Sequence, residues 1–407
     1  MKKIIPSLIT GSLALVAANA RAEDAGMIES LSGYNVNESA FTKSTGINVG
    51  GWASGGITYA SHNAPSNSNA PISFNDRINE FQFNQLNLFA EKAVNKGSGW
   101  DFGGRVDFMF GTDSRKTQAA GWDNRMIPRN NGNSPGEGER FYDVAFPQAY
   151  AEIYAPFGNG VTAKIGHFYT IIGYEVVTSP DNFFYSHAYT MLYGEPFTHT
   201  GAILSYDIND NISITGGGVM GWDNFRQQPG AWDFLGGATF TTDDANTSLA
   251  LNIITGDTNQ TDNINTTMYS AVLQHGFTDK LHYVLQHDFG VIQDGVNRGG
   301  QNAEWYGINQ YLTYDINDKL GAGIRAEWFR DSTGARIATT GIGGAAGTGG
   351  SFYAVTAGLN YSPNSWLKLR PELRYDYFAA DGDGSKAYDD GNEFDQLGVA
   401  MDMIVAF

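Results

Sequence analysis

The chain has 407 residues, no cysteine and a formal net charge of −18, which removes disulfides from the argument and argues against nucleic acid or anionic lipid as a partner. It carries 51 Gly, 25 Phe, 21 Tyr and 8 Trp, yet its mean hydropathy is only −0.30. That excludes a bundle of membrane helices and suits a barrel that keeps polar residues in its lumen, although a soluble acidic protein would share the charge.

At the start, Lys2 and Lys3 precede a short apolar run, Ile4 to Ala18, and small residues follow at Ala20-Arg21-Ala22 or Ala18-Asn19-Ala20. This predicts a secretory signal over residues 1–22, too short for a stable span and interrupted by Pro6. No later stretch offers eighteen apolar residues in a row, so no membrane helix is expected. Residues 23–46 form a short periplasmic segment in which Met27 to Tyr34 can make a helical turn or two.

From residue 47 onward the dominant period is two. Trp100, Phe102, Val106, Phe108 and Phe110 alternate with Asp101, Arg105 and Asp107, and Leu367, Leu369, Leu373, Tyr375 and Tyr377 alternate with Lys368, Arg370, Glu372, Arg374 and Asp376. The last run sets Leu397, Val399, Met401, Met403, Val405 and Phe407 against Gln396, Gly398, Ala400 and Asp402. One apolar and one polar face is the mark of a half-buried strand.

Sixteen strands are predicted, near 47–60, 80–94, 100–111, 145–156, 161–173, 197–208, 211–221, 233–242, 246–255, 267–277, 281–292, 304–316, 319–330, 352–362, 366–379 and 394–407. The phase slips between Phe83 and Leu86, which predicts a bulge. Pro371 demands a second bulge or a missing ladder bond. Links after even strands are short and most links after odd strands are long, the pattern of an up-and-down transmembrane barrel with periplasmic turns and outer loops. The fold class expected is therefore all-β, a transmembrane antiparallel barrel over 47–407. Phe407 ends the outward phase of the last strand, where an aromatic residue serves as an assembly signal for the barrel-assembly machinery.

Several segments resemble the OmpL-like outer-membrane β-barrel porin family: Gly51-Trp52, Phe74-Asn75-Asp76-Arg77, Asn84 to Val94 and Trp100 to Asp113. The strongest likeness runs from Lys164 to Asp207, with Gly173-Tyr174-Glu175, Ser179-Pro180-Asp181-Asn182 and Pro196-Phe197-Thr198-His199-Thr200-Gly201. The likeness implies a barrel and suggests a channel in the outer membrane of a Gram-negative cell.

In sixteen-stranded porins the third outer loop commonly folds inward and narrows the pore. Here that loop is 174–196, with Tyr174, Phe183, Phe184, Tyr185, Tyr189 and Tyr193. So much apolar surface seeks burial, either as a constriction on the inner wall or as a lid or subunit contact outside it. Glu175, Asp181 and Glu195 give this loop negative charge.

Pore-lining candidates on the polar phase are Arg105, Asp107, Lys164, Arg325, Glu327, Lys368, Arg370, Glu372, Arg374 and Asp376, with Asp207 and Asp288. Such charges either set ion preference or pair across the lumen and hold its wall. Small residues on the fourteenth strand, Ala354, Thr356, Gly358 and Asn360, are expected to leave Arg325, Arg370 and Arg374 unobstructed.

Enzyme readings are weaker. His275, His282 and His287 cluster in sequence without a Gly-framed serine, and His282, His287 and Asp288 do not share one face as metal ligands must. Asp381-Gly382-Asp383-Gly384-Ser385 starts like a calcium loop, but Lys386 and Asn392 stand where the EF-hand Gly and Glu belong. No catalytic residue, metal or cofactor is expected. The function expected is passive diffusion of small hydrophilic solutes or ions, with outer-membrane lipid around the barrel and a homotrimer as a candidate assembly. An outer-membrane enzyme or a substrate-specific binding barrel is the second reading, and a secreted carbohydrate-binding β protein the third.

Overall fold

Two-faced strands have a stable solution when their sheet closes, because closure leaves no unpaired edge. The computed structural model describes residues 25–124, 141–226, 232–257, 264–295, 300–337, 349–382 and 384–407; the secretory segment expected at 1–22 lies outside them. Sixteen antiparallel strands follow in chain order. The first eight are β1 (Asn48–Ala60), β2 (Phe81–Lys92), β3 (Asp101–Gly111), β4 (Asp143–Ala155), β5 (Val161–Tyr169), β6 (Thr198–Asn209), β7 (Ile212–Val219) and β8 (Asp233–Thr241). The rest are β9 (Thr247–Gly256), β10 (Thr266–Gly276), β11 (Leu281–Ile292), β12 (Ala303–Asn317), β13 (Leu320–Asp331), β14 (Gly350–Asn364), β15 (Leu367–Ala380) and β16 (Asp395–Ala406). Each pairs with its sequence neighbours, and β1 pairs with β16 to close the barrel.

The irregularities have local causes. The β1–β2 ladder steps from Ser54↔Gln85 to Gly55↔Phe83, leaving Asn84 as the extra residue of a bulge, inside the span where the sequence phase slipped. At Pro371, which has no N–H to donate, pairing with β16 continues through Met401. On the other side the pairs opposite Arg370 and Pro371 are missing from the β14 ladder. Strand β5 ends four residues before the expected Gly173, because there the chain turns inward. Gly173 has φ +87°, and a Cβ on it would lie 2.0 Å from the Glu195 carboxylate.

Outward side chains such as Phe102, Val106, Leu373, Tyr375, Leu397, Val399, Met401 and Met403 are exposed and form the apolar outer wall. No helix among the described residues is long and apolar enough to cross a membrane. Two short helices, α1 (Met27–Ser32) and α2 (Ala40–Thr45), precede β1, and the Ser39 side chain caps α2 by accepting from the Thr42 N–H. They lie at the short-turn end, where Ser365 Oγ donates to Ala25 O at 2.8 Å. The sequence suggested a helical turn only in the region of the first.

The lumen departs from the alternation in one respect. Near the long-loop end the inward residues Trp305, Phe329, Phe352 and Phe378 are aromatic and fully buried, packed with Tyr189 and Tyr388 from two inward-folded loops. Loop residues cover them, so these positions belong to a core and not to a water-filled face.

Candidate functional site: a loop seated in the lumen

Residues 174–196 run inside the barrel. They form a tight turn at Ser179–Asp181, an aromatic stretch from Phe183 to Tyr189, and a turn of π-helix at Thr190–Gly194 before entering β6. A segment without a ladder of its own must satisfy its buried N–H and C=O groups elsewhere. The inner wall supplies the partners.

Arg370 Nη1 donates to the carbonyls of Ser179, Asn182 and Phe184 at 2.9, 2.8 and 2.9 Å, while its Nε and Nη2 hold Asp402 at 2.8 and 2.6 Å. Arg374 Nη1 donates to His187 O at 2.6 Å and Lys368 Nζ to Pro180 O at 2.9 Å. Glu372 accepts the Tyr185 N–H at 2.9 Å and the Ser186 N–H at 3.2 Å, and Glu327 accepts the Tyr189 N–H at 2.6 Å. Asp376 accepts from the Tyr189 hydroxyl at 2.9 Å. On the opposite flank Gln85 donates to Val177 O at 2.7 Å and accepts from the Ser179 N–H at 3.1 Å.

Charge is settled at the loop's root. Arg325 is fully buried and donates to Glu175 Oε1 and to Ser186 O, both at 2.7 Å. Burial works against the Glu175 charge, but Arg325 and His187, whose Nδ1 lies 3.1 Å away, outweigh it and hold the carboxyl down at about 2. At the other end, Glu195 meets Gln286 and Asp288; burial first and the second carboxyl next push Glu195 well above the usual carboxylate range.

Arg325, Arg370 and Arg374 therefore do not stand free in the lumen, as the small residues of β14 suggested. Gly358 of β14 and Gly323 of β13 make a slot that aromatic rings fill. A Cβ on Gly323 would lie 2.5 Å from the Phe183 ring, one on Gly358 would lie 3.1 Å from Phe184, and Phe184 also lies under the Arg325 guanidinium at 5.2 Å.

The other wall is open. Between the loop and strands β2 to β7 lies a cavity of about 310 Å³, lined among others by Glu91, Arg105, Tyr150, Glu152, Lys164 and Asp181. Arg105 pairs with Asp107 at 2.6 Å and Glu91 at 3.2 Å. Lys164 lies 3.7 Å from Glu152 and 4.4 Å over the Tyr150 ring. Asp181 is exposed beside them.

A family model described as beta-barrel porin-2, OmpL-like, matches residues 46–407. The chain belongs to this porin family. It is an outer-membrane channel protein by that membership. No curated protein sequence matches it. Among solved structures, the porin is similar to Pseudomonas putida OprB at 12% identity, over 90% of this chain and 96% of that one, with a TM-score of 0.58. An anion-selective porin from Comamonas acidovorans aligns at 11% identity over 89% and 99%, TM-score 0.53. OmpT of Vibrio cholerae, in a trimer form, aligns at 12% identity over 89% and 99%, TM-score 0.52. At these identities the likeness is one of fold.

The porin thus divides its candidate residues in two. Arg105, Lys164, Glu175, Asp181 and Glu195 border the cavity, whereas Arg325, Glu327, Lys368, Arg370, Glu372, Arg374 and Asp376 lie under the loop with Phe183, Phe184 and Tyr185. Asp107 is buried behind Arg105. Phe407 sits on the closing seam, exchanging backbone hydrogen bonds with Gly51 at 3.0 and 2.9 Å. Of the histidines, His287 stacks outward on Tyr269 and His282 reaches Asp315 at 3.5 Å, while Asp288 points inward. Asp383, in the stretch that starts like a calcium loop, lies outside the described residues.

Sequence reasoning missed Gln85, Glu91, Tyr150, Glu152 and Tyr388. The first four sit on inward positions of their strands, a signal that could have found them. Tyr388, on a long outer loop, carried none.

Proposed function

We propose that the porin lets small hydrophilic solutes or ions diffuse passively between the outside and the periplasm of a Gram-negative cell, along the β2–β7 side of the lumen. The carrying observation is the charged cavity of about 310 Å³ left between the inner loop and that wall. Solutes pass charges of both signs there, Arg105 and Lys164 against Glu91, Glu152 and Asp181, so polar molecules keep partners as they shed water. The loop 174–196 is the narrow segment in this reading, because it fills the opposite half of the lumen. A signal over residues 1–22, surrounding outer-membrane lipid and a three-copy assembly, the form described for OmpT, belong to the same reading.

Single-channel recording in planar bilayers tests it. Discrete conductance steps are expected, and replacing Arg105 and Lys164 by Ala moves the reversal potential towards cations. A folded double variant with unchanged reversal potential places the pathway elsewhere.

A further inference from the structure

The β1–β16 seam brings together residues from distant parts of the chain at the long-loop rim. Ser61 N donates to Leu397 O at 2.7 Å, and Leu397 N to Ser61 Oγ at 3.0 Å. Just beyond this crossing stand His62 on one chain segment and Glu393 and Asp395 on the other. One imidazole nitrogen and one oxygen from each carboxylate all lie within 4.8 Å of one another, and all three residues are half-buried. We propose that His62, Glu393 and Asp395 form a site for a first-row divalent metal ion, zinc or a close relative, on the outer rim of the barrel.

The donor set decides the class of ion. Calcium and magnesium prefer six or more oxygen ligands or a largely hydrated shell, whereas one imidazole with two carboxylates suits zinc and its neighbours. Bonds of about 2.0–2.2 Å place tetrahedral donors roughly 3.4 Å apart, so the side chains must close by up to roughly 1.4 Å from a spread of 4.8 Å. A neutral imidazole and two carboxylates carry two negative charges, which the ion neutralises. The fourth position stays open to water.

The surroundings fit a ligand cluster. The Tyr375 hydroxyl donates to Asp395 Oδ2 at 2.8 Å, the kind of outer contact that aims a metal-binding carboxylate. Asp395 thereby keeps a second oxygen for the ion. The lysine of the same loop, Lys386, is turned to Asn392 O and lies 5.1 Å over the Phe394 ring. The Glu393 carbonyl accepts from the N–H groups of Ala387 and Tyr388 at 3.2 and 3.0 Å. A bound ion would therefore brace the loop whose Tyr388 hydroxyl meets Tyr189 of the inner loop at 2.8 Å.

Calorimetric titration of chelator-treated, detergent-purified protein with zinc tests the site. One saturable site per chain is expected, with affinity at least tenfold weaker in His62→Ala and in the Glu393→Gln/Asp395→Asn double variant. Calcium should give no comparable heat. Heat-dependent gel migration confirms that each variant still forms the barrel, and either variant alone suffices for the comparison. Zinc binding of unchanged strength in the folded variants, or no saturable binding in the unaltered protein, overturns the proposal.

Discussion

Arg370 shows how much one side chain does in this porin. It serves three loop carbonyls with one nitrogen and the Asp402 carboxylate with the other two. Charge-assisted bonds of this kind are roughly twice as strong as neutral ones. Replacing Arg370 by Ala should leave the barrel intact, free the loop from Ser179 to Phe184, and raise single-channel conductance with added current noise. Arg325 and Glu175 form the second anchor. Removing one member of a buried pair typically costs about 3–5 kcal/mol, so Glu175→Gln should lower the unfolding midpoint in urea. A double variant that also carries Arg325→Met should recover part of the loss. The pH dependence has a definite sign. Because Glu175 is held down at about 2 from an ordinary 4.5, its stabilising contribution is present above about pH 4.5 and fades as pH falls towards 2. The part of any conductance rise that Glu175→Gln removes should therefore begin only below about pH 4.5, and a Glu175-dependent rise at higher pH would contradict this.

At the scale of elements, the strands are the part that the sequence declares. Sixteen strands and their loop asymmetry follow from alternation, since a side-chain period of two repeats in every strand whatever its neighbours are. Where the reading stopped short, a non-local contact decided. Strand β5 ends at Tyr169 and the chain then turns inward, where Gly173 packs on the Glu195 carboxylate, two residues that no local pattern links. The inner loop has the same character: its aromatic content is plain in the sequence, but the slot at Gly323 and Gly358 that receives Phe183 and Phe184 is not. Strand phase put the three arginines on the inner face, and only the folded loop shows that their donors are taken. Shortening the loop between Pro180 and Tyr189 should raise conductance while the sixteen strands keep their pairing. Unchanged conductance in a correctly inserted barrel would mean that the loop does not limit flow.

For the whole molecule, the consequence is an asymmetric lumen, one half packed with loop and aromatic side chains and the other half polar and open. A far-ultraviolet spectrum of β type and a gel band that shifts on boiling are expected of the detergent-purified protein, since a closed barrel leaves no edge from which to unravel. A mainly helical spectrum would be incompatible with the strands described here.

The seam between β1 and β16 carries a kinetic consequence. Every other strand pair joins neighbours in sequence, but the Leu397–Ser61 contact spans 336 residues. Contacts of such separation form late, because nothing local rewards them until the intervening chain is in place. The seam is therefore the closing step of assembly. Until it forms, the first and last strands each offer an open edge that can pair with the wrong chain. Substitutions along this line, at Gly51 or in the Trp52↔Ala406 register, should then hasten the opening of closed barrels more than they slow the earlier pairing of the other strands.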